Sequence, residues 1–359
     1  MNLPATPSPA TVERADQSRE RRVVLALVGP TATGKTALAL ALAELLPVEV
    51  VSADSRMVCR WMDIGTAKPT PEERALVPHH LVDVVDPDEP YSVALFKEQA
   101  LAAIARIQQR GQVPIVAGGT GLYVRAVCDG LEIPAVPPDP DFRRRMEERA
   151  ARQGWQALEQ ELMTVDPESA RRIEPRNVRR VIRALEVYHA TGRPFSSWQQ
   201  RQPVPFDTLY IGLNLPRDVL YRRIDQRAAE QVDAGLVDEV RALLSRGYDS
   251  SMPAMMGFGY REMAQYLRGE IDREAALQQY QQATRHYARR QLTWFRSDER
   301  IHWLDARQAT AREVAERYQT FRDLPAASRA DAAASTPQEA ALDLSGPMDD
   351  RELPQEETG

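Results

Sequence analysis

The chain has 359 residues, 43% of them apolar and 27% charged, with a formal net charge of −6. That length suits one large domain or two of ordinary size, and the composition provides a sizeable core and excludes wholesale disorder. No apolar run reaches the roughly 18 residues a membrane span needs, and the N-terminal stretch lacks the apolar segment of a signal peptide. A cytoplasmic protein with no membrane association is therefore expected.

The charge is unevenly placed. From Ala327 to Gly359 eight acids face two arginines, so the other 326 residues are neutral overall. Between Arg171 and Arg183 six arginines face one acid. Such a patch suits a polyanion, although a solvated helix face has the same composition. Cys59 and Cys128 give neither a disulfide framework nor metal-ligand spacing.

In chain order, residues 1–21 are rich in Pro, Ser, Thr and charge, and disorder is expected there and in the acidic segment 325–359. Val23 to Val28 is a short aliphatic run that predicts a buried parallel strand. A glycine loop follows, then a helix from Lys35 to about Leu46, then a second strand from Val48 to Ser52. Ser92 caps a predicted helix reaching Gln109 and stopped by Gly111, and Val113 to Ala117 is the next buried strand. This rhythm predicts an α/β fold: a P-loop NTPase-like, doubly wound parallel sheet. Asp139 to Arg201 is arginine-rich, helical in pattern and without a strand signal, and is expected to be a helical insertion. The core then comprises residues 22–138 and 202–306. Its second part contains a returning strand at Leu209–Leu215, long helices at Arg217–Ala234 and Ala275–Arg296, and a last short strand at His302–Leu304.

The loop Gly29-Pro30-Thr31-Ala32-Thr33-Gly34-Lys35-Thr36 matches the phosphate-cradling pattern G-x-x-x-x-G-K-[ST]. Glycines let successive backbone N–H groups point at phosphate oxygens, and the helix N-terminus adds a favourable dipole. Lys35 supplies a point charge and Thr36 a hydroxyl for Mg²⁺. Of 46 cationic residues only Lys35, Lys68 and Lys97 are lysine, so lysine in this loop points to a place that needs a compact ammonium. A nucleotide-hydrolysing enzyme would also need a strand ending in a Mg²⁺-holding acid. Val113–Ala117 runs instead into Gly118-Gly119-Thr120-Gly121. The acid falls after the second strand, at Asp54, at the carboxyl end of a strand read as lying beside the loop.

GPTATGKT, SADSRMVCRWMDIGTAKP, PHHLVDVVDPDEPYSV and VAGGTGLY, in this order, resemble the bacterial tRNA dimethylallyltransferase family. The likeness continues through RNVRRVIRALEVYHATGRP, LYRRIDQRAAEQVDAGLVDEVRALL and MMGFGYREM, and covers roughly residues 23 to 304. It implies transfer of a dimethylallyl group from dimethylallyl diphosphate to the exocyclic amine of the adenosine 3′ to the tRNA anticodon, with Mg²⁺, by a monomer. By resemblance Asp54 is the general base, Thr120 bonds the bridging oxygen of the diphosphate, and Arg227 binds the diphosphate with Arg223 assisting. The resemblance also places the anticodon stem-loop against Asp54, Ser55, Arg56, Met57 and Thr120, against Arg143, Arg179, Arg180 and Arg183, and against Gly259, Tyr260 and Arg261. Cys59 stands where the family usually has an aromatic residue. Trp155, Trp198, Trp294 and Trp303 are read as packing residues, and His79-His80 has no evident chemical role. An adenylate isopentenyltransferase shares the donor site, but its small acceptor needs no arginine-rich insertion. A small-molecule P-loop kinase lacks its strand-end acid here. An RNA-binding protein without catalysis has no need of Asp54 and Thr120 beside the loop.

Overall fold

Alternate residues of strand β1 (Arg22–Val28) belong to opposite layers: Val24, Ala26 and Val28 enter one apolar cluster, Val23, Leu25 and Leu27 another. A strand buried on both faces needs helices above and below, and the chain supplies them. The computed structural model describes residues 22–174, 176–198, 200–325 and 328–329. Residues 1–21 and nearly all of the acidic segment lie outside these. β2 (Val48–Ser52), β3 (His79–His80), β4 (Val113–Gly118), β5 (Phe206–Asn214) and β6 (His302–Asp305) complete one six-stranded sheet in the order β3-β2-β4-β1-β5-β6. Every pairing in it is parallel.

One face is covered by α1 (Lys35–Leu42) and α13 (Ala311–Asp323), the other by α3 (Val93–Gln109) and α4 (Gly121–Cys128). The predicted strands and the long helices are all present. α1 is shorter than expected, its chain turning from Ala43 to reach β2. Ser92 caps α3 by accepting from Leu95 N–H at 3.1 Å. Several additions lie outside the sequence reading, among them the short helices α2 (Pro71–Leu76) and α4. His79-His80 forms the edge strand, where His80 Nε2 meets Glu49 Oε2 at 2.7 Å. The core also extends past residue 306, because Val314, Ala315, Tyr318 and Phe321 of α13 are buried against the sheet. Arg329, within the segment expected to be disordered, is buried with its Nε 2.9 Å from Asp207 Oδ2.

Residues 139–201 form α5 (Pro140–Gln153), α6 (Gln156–Val165), α7 (Pro167–Arg172) and α8 (Val178–Thr191), with a 3₁₀ turn at Phe195–Trp198. Asp139, Asp166 and Asn177 cap three of these helices through their side chains. Phe142, Leu158, Leu162, Ile182 and Leu185 join the same apolar cluster as Val24 and Val116 of the sheet, so the insertion packs as a continuation of the core. A third cluster gathers α9 (Arg217–Gln231), α10 (Val237–Ser245), α11 (Tyr260–Leu267) and α12 (Arg273–Arg296) around Met62.

Candidate active site

Ligands of open parallel sheets bind at the carboxyl ends of the strands, and three strand ends meet here. β4 stands between β1 and β2, pairing Val28 with Gly118 and Ser52 with Ala117. Asp54 is thus one strand removed from the glycine loop, a correction to the sequence reading, and the turn after β4 fills the gap. The glycines make this possible. A Cβ on Gly118 would stand 2.1 Å from Ala53 O, and one on Gly29, at φ +131°, 2.3 Å from Leu213 O.

Within the loop, Thr33 Oγ1 donates to Pro30 O at 2.8 Å, and Lys35 Nζ donates to Gly29 O at 2.8 Å and Pro30 O at 2.7 Å. An ammonium has three donors, so one remains for an anion. Burial draws the Lys35 pKa down to about 8, with Asp54 pulling it up and Arg227 lowering it. The other two lysines also bond carbonyls: Lys68 bonds Cys59 O at 2.6 Å and Lys97 bonds Leu131 O at 2.8 Å. Lysine in this chain therefore marks places that need a compact donor, of which the phosphate loop is one. Thr36 is half-buried at the start of α1. Among the described residues no group of three or more His, Cys, Asp or Glu could hold a metal ion. Mg²⁺ is commonly held by few protein ligands and several waters, and the Thr36 hydroxyl is a donor of the kind it takes.

The segment after β2 is tied to the turn after β4. Thr120 Oγ1 accepts from Ser55 N–H at 3.0 Å and donates to Ser55 Oγ at 3.2 Å, while Thr120 N–H donates to Ala53 O at 3.1 Å. Asp54 Oδ1 accepts from Arg56 N–H at 2.9 Å, an Asx turn that orients the carboxylate. Ser52 Oγ lies 3.7 Å from Met57 Sδ. The Arg56 guanidinium stacks on Phe258, 3.8 Å from the ring centroid, and Nη2 donates to Phe258 O at 2.6 Å. Asp54, Arg56, Thr31, Ala32, Arg227 and Tyr287 line one cleft. Arg227 has no carboxylate partner among the described residues. Arg223, one turn earlier on α9, is exposed and does not line the cleft.

The far wall comes from elements the sequence reading treated as scaffolding. Tyr280, Thr284 and Tyr287 of α12 line the cleft, and burial followed by the nearby Asp54 charge pushes the Tyr287 phenol well above its usual range. The sequence does carry a signal: Tyr280, Thr284, Tyr287, Gln291 and Trp294 share one helical face. Glu239 of α10 holds the loop after Met62, accepting from Asp63 N–H at 2.9 Å, Ile64 N–H at 2.8 Å and Tyr260 OH at 2.6 Å. Tyr260, expected to approach RNA, is wholly buried in that role. Gly259 N–H donates to Glu262 Oε2 at 2.6 Å, and Arg261 Nη2 donates to Glu262 Oε1 at 2.6 Å. Trp294 packs where a Cβ on Gly121 would be 2.0 Å from its Nε1, which agrees with its reading as a packing residue.

The expected arginine strip divides. Arg143 makes a two-bond fork on Glu186, at 2.9 and 2.8 Å, and Arg183 Nη1 reaches the same carboxylate at 2.6 Å. Glu186 is buried, and these partners hold its carboxyl below the usual range against the cost of burial. Arg183 is therefore part of the packing of α5 on α8. Arg179 is exposed and Arg180 half-buried.

A glycine loop gripping its own lysine, a strand-end aspartate and a threonine turn, all on a parallel sheet, define a P-loop-type α/β fold. The family profile described as IPP transferase matches residues 57–298, and one described as Isopentenyl transferase matches residues 22–77. The tRNA dimethylallyltransferase of Roseiflexus castenholzii is 54% identical over 273 residues, covering 76% of this chain and 89% of the relative. That of Thermomicrobium roseum is 52% identical, over 80% of this chain and 88% of the relative. The crystal structure of the tRNA isopentenylpyrophosphate transferase of Bacillus halodurans superposes with a TM-score of 0.62 at 40% identity, over 87% of this chain and 98% of that one. A eukaryotic dimethylallyltransferase acting on tRNA gives 0.66 at 26% identity, over 89% of this chain and 81% of that one. The chain belongs to the IPP transferase family.

Proposed function

We propose that this protein transfers a dimethylallyl group from dimethylallyl diphosphate to the exocyclic amine of the adenosine 3′-adjacent to the tRNA anticodon, releasing diphosphate. The observation that carries this reading is the convergence of Asp54, Lys35 and Thr120 at three adjoining strand ends, with Arg227 of α9 beside them, in a chain of this family. The amine nitrogen attacks the allylic carbon, the C–N bond forms, and the C–O bond to diphosphate breaks. The nitrogen's lone pair is delocalised into the ring, so transfer of its proton to Asp54 helps the bond form. The leaving diphosphate gathers charge, which Lys35, Arg227 and the loop amides stabilise. Thr36 would hold Mg²⁺ through its hydroxyl, and the ion when bound would supply further positive charge at the leaving group. Thr120 orients the bridging oxygen. The adenine must leave its stack to enter the cleft, where Asp54 and Arg56 form part of the lining.

Label transfer from radiolabelled dimethylallyl diphosphate, with unmodified tRNA, AMP or no acceptor in parallel, tests this reading. Label in tRNA alone, at the adenosine beside the anticodon, is expected. Label in AMP would move the activity to free nucleotides, and ATP turnover with no label anywhere would overturn it.

A further inference from the structure

α12 lies pressed against both substrate loops, and one side chain on it touches both. Gln291 is 4% exposed. Its Oε1 accepts from Thr31 N–H in the phosphate loop at 2.8 Å, and its Nε2 donates to Gly119 O in the turn after β4 at 3.0 Å. The two partners are 260 and 172 residues away in sequence. A backbone N–H on one side and a carbonyl on the other allow only one orientation of the amide. No larger residue fits the contact, since a Cβ on Gly119 would stand 1.9 Å from Nε2. Thr120 follows Gly119 directly and is itself bonded to Ser55, next to Asp54.

We infer that Gln291 is the positioning residue that sets the separation between the loop holding the leaving group and the turn carrying Thr120, and through Thr120 the placing of Asp54. The inference rests on the transfer reaction proposed above. In-line displacement depends on the distance between attacking nitrogen, carbon and departing oxygen. The nitrogen is governed by the Asp54 segment, and the departing diphosphate by the phosphate loop on one side and Thr120 on the other. Gln291 is the hydrogen-bonded strut between them. Its removal lets the two sides drift by a fraction of an ångström while each still binds its own ligand, so the loss falls on the rate of reaction rather than on binding.

Gln291→Met keeps the volume and removes both bonds. At saturating tRNA and dimethylallyl diphosphate, its single-turnover rate constant is expected to fall roughly 10- to 100-fold. The amplitude should stay full, and KM for dimethylallyl diphosphate and Kd for tRNA should hold within about threefold. A purely structural role would instead lower the amplitude and leave the rate constant of the folded fraction intact. Gln291→Glu supplies a second readout. Protonated, its carboxyl accepts from Thr31 N–H and donates to Gly119 O, whereas ionised it cannot donate. Its rate relative to the native protein should therefore climb as pH falls. An unchanged rate constant in the Met variant, or a flat relative pH profile in the Glu variant, would overturn the inference. If the Met variant does not fold, the Glu profile decides. Absence of transfer by the native protein would instead sink the proposed function, a distinguishable failure.

Discussion

Arg227 and Arg183 are both arginines on helices with arginine neighbours, yet the fold uses them in opposite ways. Arg227 lines the cleft beside Lys35 with no carboxylate partner among the described residues, and lowers that lysine's pKa. Arg183 lies against Glu186 and Val136 O, in a packed seam shared with Arg143. The first guanidinium stands in the cleft with no carboxylate to neutralise it among the described residues, and the second neutralises a buried acid. A run of arginines in a sequence records how much charge is present and leaves open which charges the fold itself consumes.

The comparison can be broken most sharply at Arg227. Arg227→Ala should lower transfer about 10²- to 10³-fold, the scale on which single stabilising donors act, with the melting temperature nearly unchanged. Equal loss in Arg183→Ala would erase the distinction. The pH dependence of Lys35 is the next largest effect. Its pKa is lowered to about 8, and an anion binds best to the ammonium form. Diphosphate affinity should thus be flat below pH 8 and weaken above it by up to about tenfold per unit, until the bound-state pKa is passed. Calorimetry across pH 7 to 10 reads this limb, and Lys35→Met should lack it. The smallest effects separate the two sides of the arginine strip. Arg183→Ala should cost about 2 kcal/mol in urea unfolding, because part of a buried carboxylate's pairing is lost. Arg179→Ala, at an exposed position, should leave stability within about 0.5 kcal/mol. It should also reduce the slope of log K for tRNA against log salt by roughly one.

The same contrast explains what was legible in the sequence. The glycine loop, Asp54 and Thr120 are local motifs whose chemistry depends on a few consecutive residues, and each lies at a strand end as read. Strand order is not local. The placing of β4 between β1 and β2 follows from how the crossovers pack, so Asp54 was read one strand too close to the loop. Tyr287, Gln291, Glu239 and Tyr260 act through partners far away in sequence, and only their shared helix faces hint at this. The short strand His79–His80 has too few residues to show a period. α13 was missed because its polar face, at Arg312, Glu313 and Glu316, reads like the charged segment beyond it, while Val314, Tyr318 and Phe321 are buried.

The most direct test of the account is Asp54→Asn, which keeps the shape of the side chain and removes its ability to accept a proton as the C–N bond forms. With Kd values for tRNA and dimethylallyl diphosphate held near those of the native protein, the single-turnover rate of transfer should fall by about 10²- to 10⁴-fold. A rate within a few-fold of the native one would mean that the proton leaves by another route and that the strand-end aspartate is not the base.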